Sequence, residues 1–236
     1  MPIFDIIAFD ADDTLWHSER LYVEAQTQFT QLLTHYHDPD WINDRLYQTE
    51  MQNIQQFGYG VKAFTLSMIE TAIELTEGRI TGADIRTIMN LGKKMLSAEV
   101  ELLDSVRDSL AKLATHYPLM VITKGDLLDQ ERKMARSGLE EYFRHVEIVS
   151  QKSPERYARL LRQHSIEPVR FLMVGNSLKS DILPVLTVGG SAAHIPYEIT
   201  WLHEVAEPPA DGQTGYYPLE SMGQLPDLLA KLERGA

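Results

Sequence analysis

The chain has 236 residues, 44% hydrophobic and 24% charged, with no cysteine and a formal net charge of −12. This length and apolar content predict one large domain or a core domain with a smaller insertion. The absence of thiols excludes disulfides, thiolate metal sites and cysteine nucleophiles, and the acidic balance repels nucleic acid and anionic membranes at long range, so neither is an expected partner.

The first residues, Met1-Pro2-Ile3-Phe4-Asp5, lack the basic and apolar regions of a signal peptide, and no run approaches the ~20 apolar residues of a membrane span. A soluble, cytoplasmic protein is expected. Residues 6–10 form a short apolar run ending in Asp and read as a buried strand. From 17 to 103 the pattern is helical. Leu21, Ala25, Phe29, Leu32 and Tyr36 share one face, Phe64, Met68, Ala72 and Leu75 a second, and Ile85, Ile88, Met89, Met95 and Leu96 a third. Thr81 and Asp84 have capping-box spacing. The helical reading breaks only at Phe57-Gly58-Tyr59-Gly60-Val61-Lys62.

Beyond this block, residues 106–116 predict a helix. Strands over 119–123, 146–150, 171–175 and 192–195 then alternate with helices over 126–137, 154–164 and 180–187. Residues 215–219 are a candidate edge strand. Runs buried on both faces and separated by helices predict an α/β fold with a doubly wound parallel sheet. The helical block is too long for a crossover and reads as an inserted α-helical cap domain over 17–103, leaving 1–16 and 104–236 as the core.

Ligands of such sheets bind at the carboxyl ends of strands. The first strand ends in Asp10-Ala11-Asp12-Asp13-Thr14-Leu15. Residues i and i+2 leaving a strand can face one pocket; three carboxylates packed there repel one another and would destabilise a bare fold, and the plainer alternative is an acidic turn in which Asp13 or Thr14 satisfies backbone amides. The second strand ends at Thr123-Lys124-Gly125, Lys152 follows the third, and Gly175-Asn176-Ser177-Leu178-Lys179-Ser180-Asp181 follows the fourth.

These four segments, in order and spanning essentially the whole chain, resemble the motifs of the haloacid dehalogenase-like (HAD) hydrolase superfamily, in its phosphatase branch with a helical cap after the first strand. The resemblance implies a HAD-like Rossmannoid core. It implies hydrolysis of a small phosphorylated metabolite, a phosphate monoester, through an aspartyl-phosphate on Asp10 with Mg²⁺ as cofactor. Asp12 corresponds to the general acid/base and Thr123 to the residue that binds a phosphoryl oxygen, with Gly125 allowing close approach. Lys152 fits the family lysine, with Lys124 as the rival. Asp10, the backbone carbonyl of Asp12, Asn176 and Asp181 correspond to the metal site. Asp13 stands where the family usually has Gly, and Asn176 where it has an acid. In related capped enzymes a cap loop reads the leaving group; Tyr59 and Lys62 are candidates for that role, and a plain helix-to-helix turn is the alternative. Trp201, His203 and Glu204 are assigned no role. The rivals are a 2-haloacid dehalogenase, which lacks an acid at the position of Asp12, a phosphomutase, and a non-catalytic binding module of this fold. Oligomeric state is not readable.

Overall fold

A computed structural model describes residues 2–210 and 212–235. In chain order its elements are β1 (Ile6–Phe9), α1 (Glu19–Leu33), α2 (Pro39–Phe57), α3 (Val61–Leu75), α4 (Gly82–Ser97), α5 (Val106–Leu113), β2 (Leu119–Lys124) and α6 (Leu127–Ser137). There follow β3 (His145–Val149), α7 (Pro154–Gln163), β4 (Phe171–Gly175), α8 (Leu183–Thr187), β5 (Ser191–His194), β6 (Tyr216–Pro218) and α9 (Leu225–Gly235). Among the described residues, no helix is long and apolar enough to cross a membrane.

The six strands form one parallel sheet in the order β3-β2-β1-β4-β5-β6. Its strands alternate in side-chain direction, and both faces are buried, as a parallel sheet requires. One face carries Ile7, Phe9, Leu119, Val121, Leu172 and Val174 against Val106, Leu110 and Leu113 of α5 and Leu225 and Leu229 of α9. The other carries Ile6, Ala8, Met120, Ile122, Phe171 and Met173 against Tyr157, Leu160 and Leu161 of α7 and Val185 of α8. The chain winds outward from β1 to β3, then crosses back to β4 on the other side of β1. The carboxyl ends of β1 and β4 therefore flank the topological switch point, where such sheets bind ligands. Both Asp10 and Asn176 leave the sheet there.

The chain divides into two compact units. The sheet unit runs through Glu19, Val100–Lys124 and from Arg132 onward; the helical unit holds Arg20–Glu99 and Gly125–Glu131. The chain leaves and re-enters the sheet unit as a paired ribbon. Trp16 bridges antiparallel to Leu102, the His17 N–H donates to Glu101 O at 2.9 Å, and the Leu103 N–H to Leu15 O at 3.0 Å. This pairing keeps residues 17–19 and 100–103 with the sheet, inside the limits of 17 and 103 expected for the insertion.

In the helical unit, α1 to α4 close around Phe29, Leu33, Ile42, Leu46, Phe64, Met68 and Ile88. The Thr81–Asp84 capping box opens α4, with both reciprocal bonds formed. The weakly patterned helix is α2. It buries Thr49 and Asn53 beside Ile42 and Leu46, and Asn53 Nδ2 donates to Ser67 Oγ at 3.1 Å and Glu70 Oε2 at 2.7 Å. Helices α3 and α4 meet at Gly92, where an added Cβ would lie 2.1 Å from Thr65 Oγ1 and 3.2 Å from Thr65 Cβ. Threonine is restricted at χ1, and its Cβ, fixed to the backbone, stays close whichever rotamer the side chain takes. Replacing Gly92 by Ala gains up to ~1 kcal/mol of helix propensity but overpacks the contact at a cost of ~1–3 kcal/mol. Gly92→Ala is thus expected to lower the midpoint of thermal unfolding, and Gly92→Ala/Thr65→Ala to recover most of the loss; a single mutant as stable as the parent would contradict this packing.

Candidate active site

The site begins where β1 stops. The Asp10 N–H donates to Val174 O at 2.9 Å, which pins Asp10 between β1 and β4. The next residues make a tight turn. Thr14 N–H and Leu15 N–H both donate to Ala11 O, at 3.2 and 2.8 Å, and Asp13 N–H donates to Trp16 O at 2.7 Å. Asp13 takes φ 59°, the left-handed region that glycine favours and Asp tolerates better than most residues. Its carboxylate accepts the N–H of Ser18 at 2.8 Å and of Glu19 at 3.1 Å, fastening the start of α1. Burial pushes the Asp13 carboxyl up to about 7, against the pull of those two N–H groups. Asp13 therefore shapes the turn.

Asp10 meets Lys152, whose Nζ lies 2.5 Å from Asp10 Oδ1 and 2.7 Å from Asp181 Oδ1. The Lys152 side chain is 1% exposed and that of Asp181 0%. Lys152 comes from the turn before α7, which Ser153 caps by accepting the Arg156 N–H at 3.3 Å. Asp181 folds back beneath β4. Its Oδ2 accepts the Ser177 N–H at 3.0 Å, and a Cβ at Gly175 would lie 2.3 Å from that same oxygen. Only glycine leaves room for the carboxylate. Here one ammonium serves two carboxylates. Burial, and then the charge of Asp181, push Asp10 up to about 7 despite Lys152. Burial disfavours the Lys152 charge, but Asp10 and Asp181 outweigh it and hold its pKa above the ordinary lysine value.

Lys124, the other candidate lysine, turns elsewhere. Its Nζ donates to Glu204 Oε1 at 2.5 Å and Ser180 Oγ at 2.9 Å. Glu204 also accepts from the hydroxyls of Ser177 and Ser180. Burial works to raise the Glu204 carboxyl, yet Lys124 and the two serines hold it down at about 2. Asp12 points to a third cation. Its Oδ1 accepts from Trp16 Nε1 at 2.7 Å and Lys133 Nζ at 2.9 Å, and Lys133 lies 3.2 Å from Oδ2. The Thr14 hydroxyl donates to Asn176 Oδ1 and accepts the Asn176 N–H, both at 3.1 Å, joining the loops after β1 and β4.

Thr123 is buried at the end of β2. Gly125 takes φ +137°, and a Cβ there would press on Gln130 at 2.9 Å. Tyr59 and Lys62 belong to the helical unit. Gly58 and Gly60, with φ 73° and 112°, separate α2 from α3 around Tyr59, and Lys62 pairs with Asp126 at 2.8 Å. Lys133 and Glu204 are the site-lining residues that sequence reasoning missed. Lys133 sits among Glu131, Arg132 and Arg136 on a charged helix, and Glu204 in an isolated turn, so neither sends a pattern signal.

The donors around Asp10 suit a hard cation. They are oxygens: the Asp10 and Asp181 carboxyls, set against the one ammonium of Lys152, and, at the neighbouring strand end, the Asn176 amide held by Thr14. Among the described residues no three His, Asp or Glu side chains converge into a full metal cage. Mg²⁺ asks for none: it binds through one or two carboxylates and keeps several waters for exchange with substrate oxygens.

A doubly wound sheet with a helical insert after its first strand and a buried carboxylate–ammonium cluster at its switch point is the build of an enzyme. A model of the haloacid dehalogenase-like hydrolases matches residues 4–187, and the chain belongs to that family. It is 26% identical, over 97% of its length and 93% of the relative's, to a glyceraldehyde 3-phosphate phosphatase from Pyrococcus furiosus. A haloacid dehalogenase-like family hydrolase from Xanthomonas campestris superposes with a TM-score of 0.88 at 38% identity, covering 100% of this chain and 98% of that one. A 2-haloacid dehalogenase from Pseudomonas syringae shares the fold, with a TM-score of 0.64 at 19% identity over 97% and 99% of the two chains.

The buried cluster has a pH signature. Burial and the charge of Asp181 hold the Asp10 carboxyl at about 7 in the folded chain, well above the ordinary 3.8 of an exposed aspartate. The native state therefore holds a proton that the unfolded chain releases, and metal-free stability falls as pH rises between those values. Lys152→Met removes the shared ammonium. Its destabilisation should reach about 3–5 kcal/mol at pH 8, the usual cost of breaking a buried pair, and shrink at pH 5, where Asp10 is protonated. Thermal unfolding against pH in EDTA checks this; an equal loss at both pH values would contradict the shared-ammonium arrangement.

Proposed function

We propose that the protein is a Mg²⁺-dependent phosphatase of small phosphate monoesters that works through an aspartyl-phosphate on Asp10. One observation carries the reading. The two carboxylates two residues apart at the end of β1 have different partners: Asp10 shares Lys152 with Asp181, while Asp12 is held by Trp16 and Lys133. Such a division suits a nucleophile and a separate acid/base, whereas expulsion of a halide needs no acid at Asp12. The name of the Pyrococcus relative supports the same chemistry, and small phosphorylated metabolites as substrates.

In this reading Asp10 attacks phosphorus while the bond to the leaving alcohol breaks and Asp12 gives that alcohol a proton. Asp12 then takes a proton from water. The water attacks phosphorus, releases inorganic phosphate and restores Asp10. Lys152 offsets charge on Asp10 and on the phosphoryl group, and Thr123, with the backbone at Lys124 and Gly125, receives phosphoryl oxygens. Asp10, Asp181, Asn176 and the Asp12 backbone carbonyl would hold the cation. When bound, Mg²⁺ neutralises the phosphoryl oxygens and orients the group for in-line attack. The helical insert acts as the cap, with Tyr59 and Lys62 as the residues that read the leaving group.

The test is turnover of p-nitrophenyl phosphate. EDTA should abolish it and Mg²⁺ restore it, and Asp10→Asn should leave background only. Asp12→Asn should lose ~10²–10⁴-fold, a typical contribution of general acid–base catalysis. Nitrophenol leaves readily without a proton, so this mutant should release a stoichiometric burst of it and then stall. Turnover indifferent to EDTA, or untouched by Asp10→Asn, would refute the reading.

A further inference from the structure

Asp12 must do two things in sequence: give a proton to an alcohol and take one from water at nearly the same place. An aspartate on a turn has two free torsions and two equivalent oxygens. Something must choose which oxygen works and hold it still, because misplacement of a reacting group by 1 Å can cost ~10²-fold.

The surroundings of Asp12 make that choice. Its Oδ1 accepts two hydrogen bonds, from Trp16 Nε1 at 2.7 Å and Lys133 Nζ at 2.9 Å, while Oδ2 has the longer contact to Lys133 at 3.2 Å. Lys133 also reaches Ser18 Oγ at 3.4 Å. Three acceptors thus face the three N–H groups of one ammonium. Exposure is graded in the same sense: the Lys133 side chain is 9% exposed and that of Asp12 28%. The cation is sealed in the protein, and the acid opens outward. Trp16 is one of the largest fully buried side chains, so its indole N–H is a fixed donor. Lysine is rarely buried unless paired, and this one is spent on the acid that the proposed mechanism needs in place.

We propose that Lys133 is a positioning residue that, together with Trp16, anchors Oδ1 of Asp12 and leaves Oδ2 to exchange the proton with leaving group and water. The inference rests on the phosphatase reading. Lys133 keeps its own protons throughout. The proton passes from Asp12 Oδ2 to the leaving alkoxide in the first half-reaction and returns to Oδ2 from water in the second.

A residue that only supports the fold affects all substrates alike, whereas one that aims a general acid matters most where the leaving group needs a proton. The experiment measures the phosphorylation step by rapid quench, with Mg²⁺ present, for p-nitrophenyl phosphate and for glycerol 3-phosphate as an alkyl ester. The proteins are the parent, Lys133→Met, Lys133→Arg, Asp12→Asn and Asp12→Asn/Lys133→Met. Lys133→Met should slow the alkyl ester by ~10²-fold and the aryl ester by roughly tenfold or less, with KM nearly unchanged. Lys133→Arg should recover most of the loss, and Lys133→Met should cost nothing further in the Asp12→Asn background. Equal losses on both esters, or full additivity in the double mutant, would overturn the assignment while a turning-over parent enzyme keeps the phosphatase reading. A parent enzyme inactive on both esters would overturn the two together. If Lys133→Met does not fold, Trp16→Phe removes the other anchor without removing a charge. It should show the same alkyl-selective loss at smaller size, and an unselective loss would equally overturn the assignment.

Discussion

Two buried carboxylates that share one ammonium set the terms for the rest of the sheet unit. Asp10 and Asp181 lie on either side of Lys152, and neither is open enough for water to screen it. A buried unpaired charge costs several kcal/mol, so the cluster endures only because neighbouring parts are shaped around it. Gly175 leaves space for Asp181, the Ser177 N–H satisfies its second oxygen, and Val174 fixes the backbone of Asp10. The topology accounts for the location: β1 and β4 are neighbours in the sheet, and their carboxyl ends bring residues 10 and 176 to one place.

Around this cluster the same solution recurs. Lys124 is matched with Glu204 and Lys133 with Asp12, each pair largely buried. In a chain of net charge −12 these cations count locally, although the surface as a whole does nothing to attract an anion. Acid remains in excess even so. Burial, with Asp12 and Glu204 nearby, pushes the Glu19 carboxyl up to about 7. Holding Asp10 with Lys152 and Asp12 with Lys133 gives neighbouring carboxylates distinct characters, and the proposed separation of nucleophile from acid/base depends on that sorting.

The sheet was legible because its inner strands β1, β2 and β4 are buried on both faces and therefore read as unbroken apolar runs; residues 171–175 are the clearest case. The short edge strand at Tyr216–Pro218 lay inside the expected 215–219. Legibility failed where contacts replace pattern. Helix α2 has a mixed, glutamine-rich surface, and its buried Asn53 is understood only through Ser67 and Glu70 on another helix. Whether Lys152 or Lys124 meets Asp10 could not be read from position, since both follow strand ends; reach and burial decide it. Lys133 lies 121 residues from Asp12, and Glu204 lies 80 from Lys124. No local spacing encodes either pair. The departure at Asp13 was readable in physical terms, because a turn that needs positive φ accepts Asp where Gly is usual.

The central claim, that Asp10 carries the phosphoryl group, is tested most directly by trapping. Acid quenching during Mg²⁺-supported turnover of p-nitrophenyl phosphate, followed by borohydride reduction, converts an aspartyl-phosphate to homoserine. Peptide mapping by mass spectrometry should then find homoserine at position 10 and unaltered aspartate at positions 12, 13 and 181. Homoserine at any other position, or none at all while turnover proceeds, would contradict the mechanism.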